Sequence, residues 1–413
     1  MTPRSTSSHR WLILATVFVN LAMVYGLWYS YSVFLVALLR DFDWSRSTVA
    51  GAFSALLLVY AALSPFVGWI CGRVGARRLI LAGAGMLAVG LLLAAETTKW
   101  WHLYLAFGLI TAVGVTLAGW LPSIILVRSW FLDRVGTAVG IVSGGIGLGI
   151  FAVVPVTQLL IDFCGWRWTF RILAVAIAGW LVPATLGLVR DAPGGGFELV
   201  AAQDTSSDEA GFWRLPVALR QPRYWALAGV FFFGNLVTQL LFVHQVAYLV
   251  DHGASALAAA SVGGLAGFAS IVGKAGWGAL SDRTGREVSY SWALLCLVAS
   301  IGVLVLAGQQ PGSCLPFVYA ILFGLGYAGT AALTPPATSD LFAGRGFSAI
   351  FGSLQTVLGI GAAIGAWIAG KTFDLTNSYT TALWLALAGS LAAPACMWLA
   401  APSRPNPVPR GKK

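Results

Sequence analysis

The feature that most constrains this chain is a series of long apolar runs. A helix that crosses the hydrocarbon core of a bilayer needs about 20 predominantly apolar residues, and every run reaches or approaches that length. The sequence therefore predicts an all-α integral membrane protein with twelve transmembrane helices. The runs cover 11–39, 47–71, 79–95, 101–127, 136–161, 168–189, 223–250, 256–281, 287–308, 314–339, 346–372 and 379–401.

Composition supports a membrane protein and excludes several other classes. Of the 413 residues, 58% are hydrophobic and only 10% are charged, whereas soluble proteins carry about 25% charged residues. The net charge of +10 does not indicate nucleic-acid binding, because the basic residues lie in short segments between apolar runs. The five cysteines form no CxxC pair and the four histidines do not cluster. We therefore predict no metal site and no cofactor.

The distribution of basic residues predicts the orientation of the chain. The first run is too long for the apolar region of a signal peptide, so we interpret it as the first membrane helix. Eighteen Lys and Arg residues then fall on the side of both termini and six fall on the other side. Basic residues accumulate in cytoplasmic loops. We expect a multi-pass protein of the plasma (inner) membrane with both termini in the cytoplasm.

One hydrophilic stretch divides the runs into two groups of six. It spans 190–222 and is the longest polar segment before the basic tail. We predict an N-terminal six-helix bundle over 1–189, a cytoplasmic linker over 190–222, and a C-terminal six-helix bundle with the basic tail over 223–413.

The two groups are related by an internal repeat with an offset of 210 residues. The offset joins the loop after the second run to the loop after the eighth run, and also the starts of the fifth and eleventh runs. Such parallel halves enclose a substrate site near the bilayer midplane. The related pairs are Gly68 and Gly278, Arg73 and Arg283, Gly75 and Gly285, Gly136 and Gly346, Ser143 and Ser353, and Gly149 and Gly359.

Both repeated loops resemble the signature G-x-x-x-D-R-x-G-R-R of the major facilitator superfamily. The resemblance implies that these loops gate the cytoplasmic side of two pseudo-symmetric six-helix bundles. The second copy is nearly complete, but in the first copy the Asp of the signature is replaced by Gly72. The candidate gating residues are Arg73, Gly75, Arg77, Asp282, Arg283, Gly285 and Arg286.

Further segments are similar to the oxalate/formate antiporter and monocarboxylate transporter branch of that superfamily. The resemblance implies a transporter of a small organic anion that works as a proton symporter or an anion exchanger, and it implies a monomer. The segments whose residue types and spacing resemble this branch are 42–48, 64–65, 75–78, 130–140, 165–167 and 373–379.

Lys274 is the one normally charged side chain deep within a run. A Lys at the centre of a membrane helix costs about 2.5–3.5 kcal/mol, so it is a candidate functional residue. The branch places a substrate-binding Arg eight residues before the signature Asp of helix eight, and Lys274 is eight residues before Asp282. The eleventh run has no basic residue before Lys371 at its outer end, so we expect a substrate with one carboxylate. The alternative is that Lys274 extends towards the cytoplasmic interface.

Six other side chains are candidates for the substrate site. Polar groups in a membrane helix need partners, which a substrate or a neighbouring helix can supply. His244 is the only histidine well inside a run and a candidate proton carrier. Interhelical hydrogen bonding or packing is the alternative for each. The candidates are Asn235, Gln239 and His244 in the seventh run, Tyr29 in the first, Trp120 in the fourth and Tyr327 in the tenth.

Other functions remain open or are disfavoured. A major facilitator exporter of another small solute or drug stays open, although a cation exporter needs a buried acid and all fifteen carboxylates fall in loops or at run ends. An anion-binding membrane sensor would need a longer soluble domain. An enzyme would need a catalytic constellation, which the sequence lacks. We expect alternating access around Lys274, with the lipid bilayer, the anion and, in the symport case, protons as partners.

Overall fold

Regular structure is helical throughout the residues that the computed structural model describes, which are 3–131, 135–190, 213–310, 312–342 and 346–402. Within these ranges no strand occurs. A single helical turn, Leu215–Ala218, precedes the second half. The long helices are α1 (Pro3–Asp41), α2 (Arg46–Val74), α3 (Ala76–Ala95), α4 (Trp100–Trp130), α5 (135–164), α6 (166–188), α7 (Pro222–Asp251), α8 (Ala256–Thr284), α9 (Arg286–Gln309), α10 (Leu315–Phe342), α11 (Phe347–Thr376) and α12 (Thr380–Ala400).

Twelve membrane spans arise from eleven continuous helical stretches. Across the described residues, eleven stretches are long and apolar enough to cross a bilayer, and one of them, Gly136–Leu188, has 53 residues. A straight helix of that length would measure about 80 Å, more than twice the thickness of the hydrocarbon core. Gly165 interrupts this stretch with φ of 80° and ψ of 162°, a conformation that favours glycine. The twelve spans predicted from the sequence are therefore confirmed.

The internal repeat is visible in how α2 and α8 begin and end. Ser45 and Ser255 cap the two helices in the same way, each accepting a hydrogen bond from the backbone N–H three residues later at 3.2 Å. Gly75 and Gly285 end them with φ of 89° and 90°. Both pairs are 210 residues apart, and a side chain at either glycine would be strained. The two similar halves predicted from the sequence therefore share local backbone geometry.

Glycines allow close packing within each half. A Cβ added at Gly149 of α5 would lie 2.0 Å from the carbonyl oxygen of Ala22 in α1. A Cβ added at Gly365 of α11 would lie 2.1 Å from the carbonyl oxygen of Leu236 in α7. Small residues at such crossings let two backbones approach each other, which supplies the packing energy that lipid cannot.

We expect Gly149→Ala to lower the stability of the folded protein by about 1–3 kcal/mol, because overpacking a tight contact forces backbone shifts. The measurement is thermal unfolding of the purified protein in detergent. Gly140→Ala on the same helix is the matched control, since no described residue lies within 4 Å of a Cβ at that position. Equal unfolding temperatures for the two variants would contradict the close approach of α1 and α5.

The seam between α5 and α8 widens towards one face of the membrane. A Cβ at Gly147 would lie 2.4 Å from Ile271 of α8, whereas one at Gly144 would lie 3.8 Å from the same side chain. At Gly140, one further turn along the same face, no described residue is within 4 Å. The two helices therefore diverge towards the face where α1 begins and α12 ends, which we call the terminal face. The other side is the opposite face.

The seam between α2 and α11 widens in the same direction. Near the opposite face, the Ser54 hydroxyl donates to the carbonyl oxygen of Ala363 at 2.7 Å. A Cβ at Gly359 would lie 2.3 Å from Ala61. Two turns closer to the terminal face, a Cβ at Gly352 would meet no described residue within 4 Å. Among the described residues, both seams between the halves are thus closed at the opposite face and separate towards the terminal face.

The domain boundaries stay a prediction. Most of the proposed linker, 191–212, lies outside the described residues, as does the basic tail from 403 onwards. The ends of the helices on either side, at 188 and at Pro222, are consistent with a division between α6 and α7.

Candidate functional site

Lys274 lies on α8 about one turn from the middle of the helix. Its Nζ is 5.5 Å from the centroid of the Tyr327 ring on α10, close enough for a cation–π interaction. Among the described residues it forms no ion pair with a carboxylate. A charged Lys274 therefore sits between membrane helices with an aromatic ring, and without a protein countercharge in the described structure.

A pair of tyrosine hydroxyls joins the two halves beside this lysine. The hydroxyl oxygens of Tyr29 on α1 and Tyr327 on α10 are 3.0 Å apart, and both side chains are buried. Phe242 of α7 packs against both rings, at centroid distances of 4.5 Å and 5.0 Å. Tyr29, Tyr327 and Lys274, which were predicted separately from the sequence, are thus brought together.

Gln239 is the fourth predicted residue at this place. It lies beside Tyr29, and its Oε1 is buried without a hydrogen-bond partner among the described residues. Gln239 and Tyr29 are 210 residues apart, so they are equivalent positions of the two halves and meet close to the pseudo-symmetry axis. Asn235, one turn away, donates instead to the carbonyl oxygen of Phe231 in its own helix at 3.1 Å.

Three aromatic residues of the N-terminal half, Tyr25, Trp28 and Tyr60, lie beside this group, and we call them the aromatic wall. The sequence analysis did not predict them. Trp28 packs edge-on against Tyr60 at 5.3 Å and lies 6.5 Å from Tyr29. Its indole Nε1 is buried with no described hydrogen-bond partner. The hydroxyls of Tyr25 and Tyr60 are 3.5 Å apart. The internal repeat could have indicated these residues, because they lie 210 residues before polar residues of the other half. Tyr25, for example, corresponds to Asn235.

Trp120 reaches this wall through its backbone. α4 is interrupted at Gly119, where φ is −87° and ψ is −140°, and a new helical segment starts at Trp120. The backbone of Trp120 lies beside the hydroxyl of Tyr25. The Trp120 side chain is half-buried and packs against the core, and no contact places it against Lys274.

The group therefore combines one cation, several hydroxyls and two unpartnered polar atoms between the halves. The cation comes from α8, and the unpartnered indole N–H comes from α1. Buried polar groups usually have partners, so the unpartnered donor and acceptor make this group a candidate binding site. Aromatic rings pack around these polar groups, and such surroundings suit a small anion with an apolar portion.

His244 lies elsewhere, in a second group close to the opposite face. Its Nε2 is 2.9 Å from the carbonyl oxygen of Ala366, to which it must donate. Its Nδ1, 3.1 Å from the Tyr379 hydroxyl, is then the acceptor from Tyr379. Both ring nitrogens are engaged, and these bonds hold the neutral imidazole. The structure thus places His244 with α11 and the α11–α12 loop and not with Lys274.

That second group is centred on Arg46, and we call it the outer latch: Arg46, His244, Asp251, Phe373, Asp374 and Tyr379. The Arg46 guanidinium binds Asp251 at 2.8 Å, donates to the Tyr379 hydroxyl at 2.6 Å and stacks 3.8 Å over Phe373. The Asp374 carboxylate accepts from the backbone N–H groups of Arg46 and Ser47 at 2.8 Å and 2.9 Å. A carboxylate is favoured at a helix start, so the C-terminal half caps α2 of the N-terminal half.

Burial affects the one titratable group of the outer latch that lies in a loop. Tyr379 sits between α11 and α12, and burial raises the pKa of its phenol above the ordinary value. The hydroxyl therefore stays protonated and can donate to His244 while it accepts from Arg46.

The arginines of the two candidate gating loops contact different groups. In the second copy, Arg286 binds Asp282 at 2.8 Å and Asp340 at 2.9 Å, which ties α8, α9 and α10 together. In the first copy, Arg77 donates to the carbonyl oxygens of Thr185 and Leu186 at 3.2 Å and 2.5 Å. Arg73 and Arg283 are both exposed. Gly75 and Gly285, in contrast, share their backbone conformation.

Comparison with known proteins identifies the family. The family model of the Major Facilitator Superfamily matches residues 17–331. Monocarboxylate transporter 13 of Bos taurus is 30% identical over 394 residues, which cover 92% of this chain and 87% of the relative. Monocarboxylate transporter 12-B of Danio rerio is 26% identical, with 91% and 83% covered. The uncharacterized MFS-type transporter YcxA of Bacillus subtilis (strain 168) is 24% identical, with 91% of each chain covered.

Twelve spans in two similar halves around a central polar group define a multi-pass membrane transporter. The chain belongs to the major facilitator superfamily. It is a transporter related to the monocarboxylate transporters, and the prediction that it is not an enzyme is confirmed by these relatives.

Proposed function

We propose that this protein is a secondary active transporter of a small organic monocarboxylate. The observation that carries the proposal is Lys274, a cation between membrane helices whose described surroundings supply hydroxyls and an aromatic ring but no carboxylate. An unpaired charge inside the membrane is costly. A substrate carboxylate would supply the missing countercharge.

The number of cations favours one carboxylate per substrate. Lys371, the nearest basic residue that α11 could offer, is exposed near the end of the helix at the opposite face. A second carboxylate would therefore lie among aromatic side chains such as Phe242 and Trp28. An uncompensated charge there would be poorly solvated, which disfavours a dicarboxylate.

The substrate is proposed to touch both halves. Its carboxylate would bind Lys274 and the hydroxyls of Tyr327 and Tyr29, with Gln239 as a neighbouring acceptor. The Trp28 indole would donate to a further oxygen of the substrate. Contact with both sides links substrate binding to the closing of the terminal face, because the seams that diverge there lie between the same two halves.

Trp28→Phe is expected to raise the substrate concentration for half-maximal uptake by about tenfold, since it removes one hydrogen bond to a charged or polar substrate and keeps the aromatic packing. The measurement is the concentration dependence of uptake in proteoliposomes. Trp384→Phe is the matched control, because Trp384 is 66% exposed on α12. An unchanged KM in Trp28→Phe would exclude the indole from substrate binding.

The mechanism we propose is alternating access. The outer latch joins the halves at the opposite face, whereas no described residue lies within 4 Å of a Cβ at Gly140 or Gly352 towards the terminal face. We place the terminal face in the cytoplasm of the plasma (inner) membrane, as the distribution of basic residues favours. The described state would then face inwards, and we propose that a single copy, with bundles over 1–189 and 223–413, carries out the cycle.

The proposed coupling of substrate transport to a second anion or to a proton follows from the charge of Lys274 in the empty site. A charged, unpaired Lys274 disfavours an occluded empty state, so the carrier returns only with an anion bound or with the lysine neutral. The first route is anion exchange and the second allows proton symport. His244 is occupied by the outer latch, which leaves Lys274 and the substrate itself as the proposed proton carriers.

The experiment is uptake of labelled lactate, pyruvate, formate and oxalate into proteoliposomes that contain the purified protein. An inward proton gradient and an internal unlabelled anion are tested separately, so that symport and exchange give different results. Accumulation of a monocarboxylate in preference to oxalate is the expected outcome. Oxalate uptake alone, or no uptake of any carboxylate under either condition, would refute the proposed substrate class.

A further inference from the structure

A second candidate binding site lies at the opposite face, in a groove between α9 and α12. It is a cavity of about 830 Å³ that extends from the outer latch along both helices. Val298, Ile301 and Val305 line it from α9, and Leu383 and Leu387 line it from α12. Lys274 is not among the described lining residues. The groove is therefore separate from the proposed substrate site.

The apolar part of the groove is open on the side that faces lipid. Leu306 is 48% exposed, and Gly302 is exposed with no described residue within 4 Å of a Cβ at that position. Both residues line the cavity. Exposed apolar surface of a membrane helix lies against lipid chains. From Val298 to Leu306 the groove follows α9 for about 12 Å, so an acyl chain of the neighbouring leaflet can enter it along the helix.

The polar end of the groove contains an ion pair that can bind further groups. The Arg46 guanidinium binds the Asp251 carboxylate at 2.8 Å, and both side chains line the cavity. Arg46 contacts Asp251 and Tyr379 through Nη1 and Nη2. A guanidinium has five N–H donors and a carboxylate has about four acceptor sites. Donors of Arg46 and acceptor sites of Asp251 therefore remain for a ligand.

His252 adds a second acceptor beside this ion pair. Its Nδ1 is 2.7 Å from the carbonyl oxygen of Tyr248, to which it must donate. In the neutral ring Nε2 is then an acceptor, and His252 lines the cavity. One guanidinium next to two acceptors matches a headgroup that has a phosphate and an N–H cation. A purely anionic headgroup would instead meet the Asp251 carboxylate, and a quaternary ammonium has no N–H to donate.

A ligand with this chemistry would contact both halves of the protein. Among the described lining residues, Arg46 alone belongs to the N-terminal half. A headgroup bound to Arg46 and Asp251 would therefore join the halves where the outer latch does. A ligand shifts a conformational equilibrium by its difference in affinity for the two states. We propose that this groove binds a zwitterionic phospholipid with a primary ammonium, such as phosphatidylethanolamine, and that the bound lipid favours the latched state.

The first test is lipid retention by the purified full-length protein, measured by native mass spectrometry. Phosphatidylethanolamine and phosphatidylcholine with identical acyl chains are added in equal amounts, and we expect preferential retention of one phosphatidylethanolamine. Gly302→Leu should reduce this retention at least about tenfold, because a side chain in the groove displaces about two buried methylene groups of the lipid. Gly85→Leu on α3 is the matched control, because Gly85 is also exposed without a described residue within 4 Å of a Cβ and lies outside the groove.

His252→Phe tests the headgroup separately from the acyl chain. The substitution keeps an aromatic ring and removes the Nε2 acceptor, and it leaves the salt bridge between Arg46 and Asp251 in place. The preference for phosphatidylethanolamine over phosphatidylcholine is expected to fall about threefold, the effect of one hydrogen bond. An unchanged preference would contradict the proposed headgroup contacts.

The effect on the outer latch is measured by amide hydrogen exchange in lipid nanodiscs. Exchange in 45–50 and 371–379 should be slower in phosphatidylethanolamine than in phosphatidylcholine, because the bound lipid contacts both halves. Gly302→Leu should abolish this difference, whereas Gly85→Leu should preserve it. Equal exchange of the native protein in the two lipids would refute the effect on the latch.

Three results of the retention experiment would overturn the binding site itself. One is equal retention of the two lipids by the native protein. Another is equal retention of phosphatidylethanolamine by Gly302→Leu and Gly85→Leu, which would place the lipid elsewhere. The third is displacement of the lipid by millimolar glycerophosphoethanolamine, which would identify a soluble ligand. None of these readouts depends on which substrate the protein transports.

Discussion

Lys274→Ala is expected to reduce substrate uptake at least about 100-fold and, at the same time, to stabilise the protein. Removing one partner of a desolvated charge pair costs about 2–5 kcal/mol of binding free energy, and 1.4 kcal/mol is tenfold. In the empty protein, however, Lys274 has no described carboxylate partner. Its deletion relieves the cost of a charge inside the membrane. Uptake in proteoliposomes and thermal unfolding in detergent measure the two effects.

The opposite signs make this variant more informative than a simple loss of activity. A structural lysine would lower both uptake and unfolding temperature when it is removed, whereas a substrate-binding lysine lowers only uptake. Lys274→Arg keeps the charge and should retain part of the uptake, since the guanidinium differs in shape and donor geometry. Lys371→Ala removes a lysine that is exposed on α11 and should change neither quantity. Uptake within threefold of the native rate in Lys274→Ala would exclude the proposed site.

The membrane spans and the position of Lys274 within a span could be predicted because each depends on local sequence. Apolar runs define the spans, and the 210-residue offset defines two halves. Lys274 stood out because a single charge within a long apolar run has few explanations. The π-helical segment Tyr104–Thr111 and the continuous backbone around Gly165 were not predicted. Apolar composition does not distinguish these backbone geometries from a regular helix and a loop.

The aromatic wall and the outer latch could not be predicted for a different reason. The sequence has 18 Trp and 11 Tyr residues, and most aromatic residues of a membrane protein serve packing or interfacial belts. Nothing local separates Trp28 from these. The partners of the outer latch are far apart in sequence, as Arg46 and Tyr379 are, and only the packing of α2 against α11 brings them together. His244 was predicted as a proton carrier from its residue type alone. Its hydrogen bonds to Tyr379 and Ala366 could not be predicted from the sequence.

Arg46→Ala is expected to open the outer latch and shift the protein away from the state that is closed at the opposite face. The substitution removes a salt bridge to Asp251, a hydrogen bond to Tyr379 and the stacking on Phe373. Hydrogen bonds to charged groups contribute about 1.5–3 kcal/mol each. Amide hydrogen exchange in 45–50 and 371–379 should accelerate at least about tenfold, because opening exposes these segments. Exchange monitored by mass spectrometry in detergent is the measurement.

Tyr379→Phe distinguishes two roles for this group of residues: a latch between the halves, and a proton relay through His244. It removes the hydroxyl that accepts from Arg46 and donates to His244, but it leaves the Arg46–Asp251 salt bridge in place. If the group acts as a latch, amide exchange should accelerate less than in Arg46→Ala, and the effect of the proton gradient on uptake should be unchanged. If His244 carries the transported proton, the gradient effect should disappear while amide exchange stays slow. Lys371→Ala, within the same segment and exposed, should alter neither, and acceleration there would show that the assay reports general loosening.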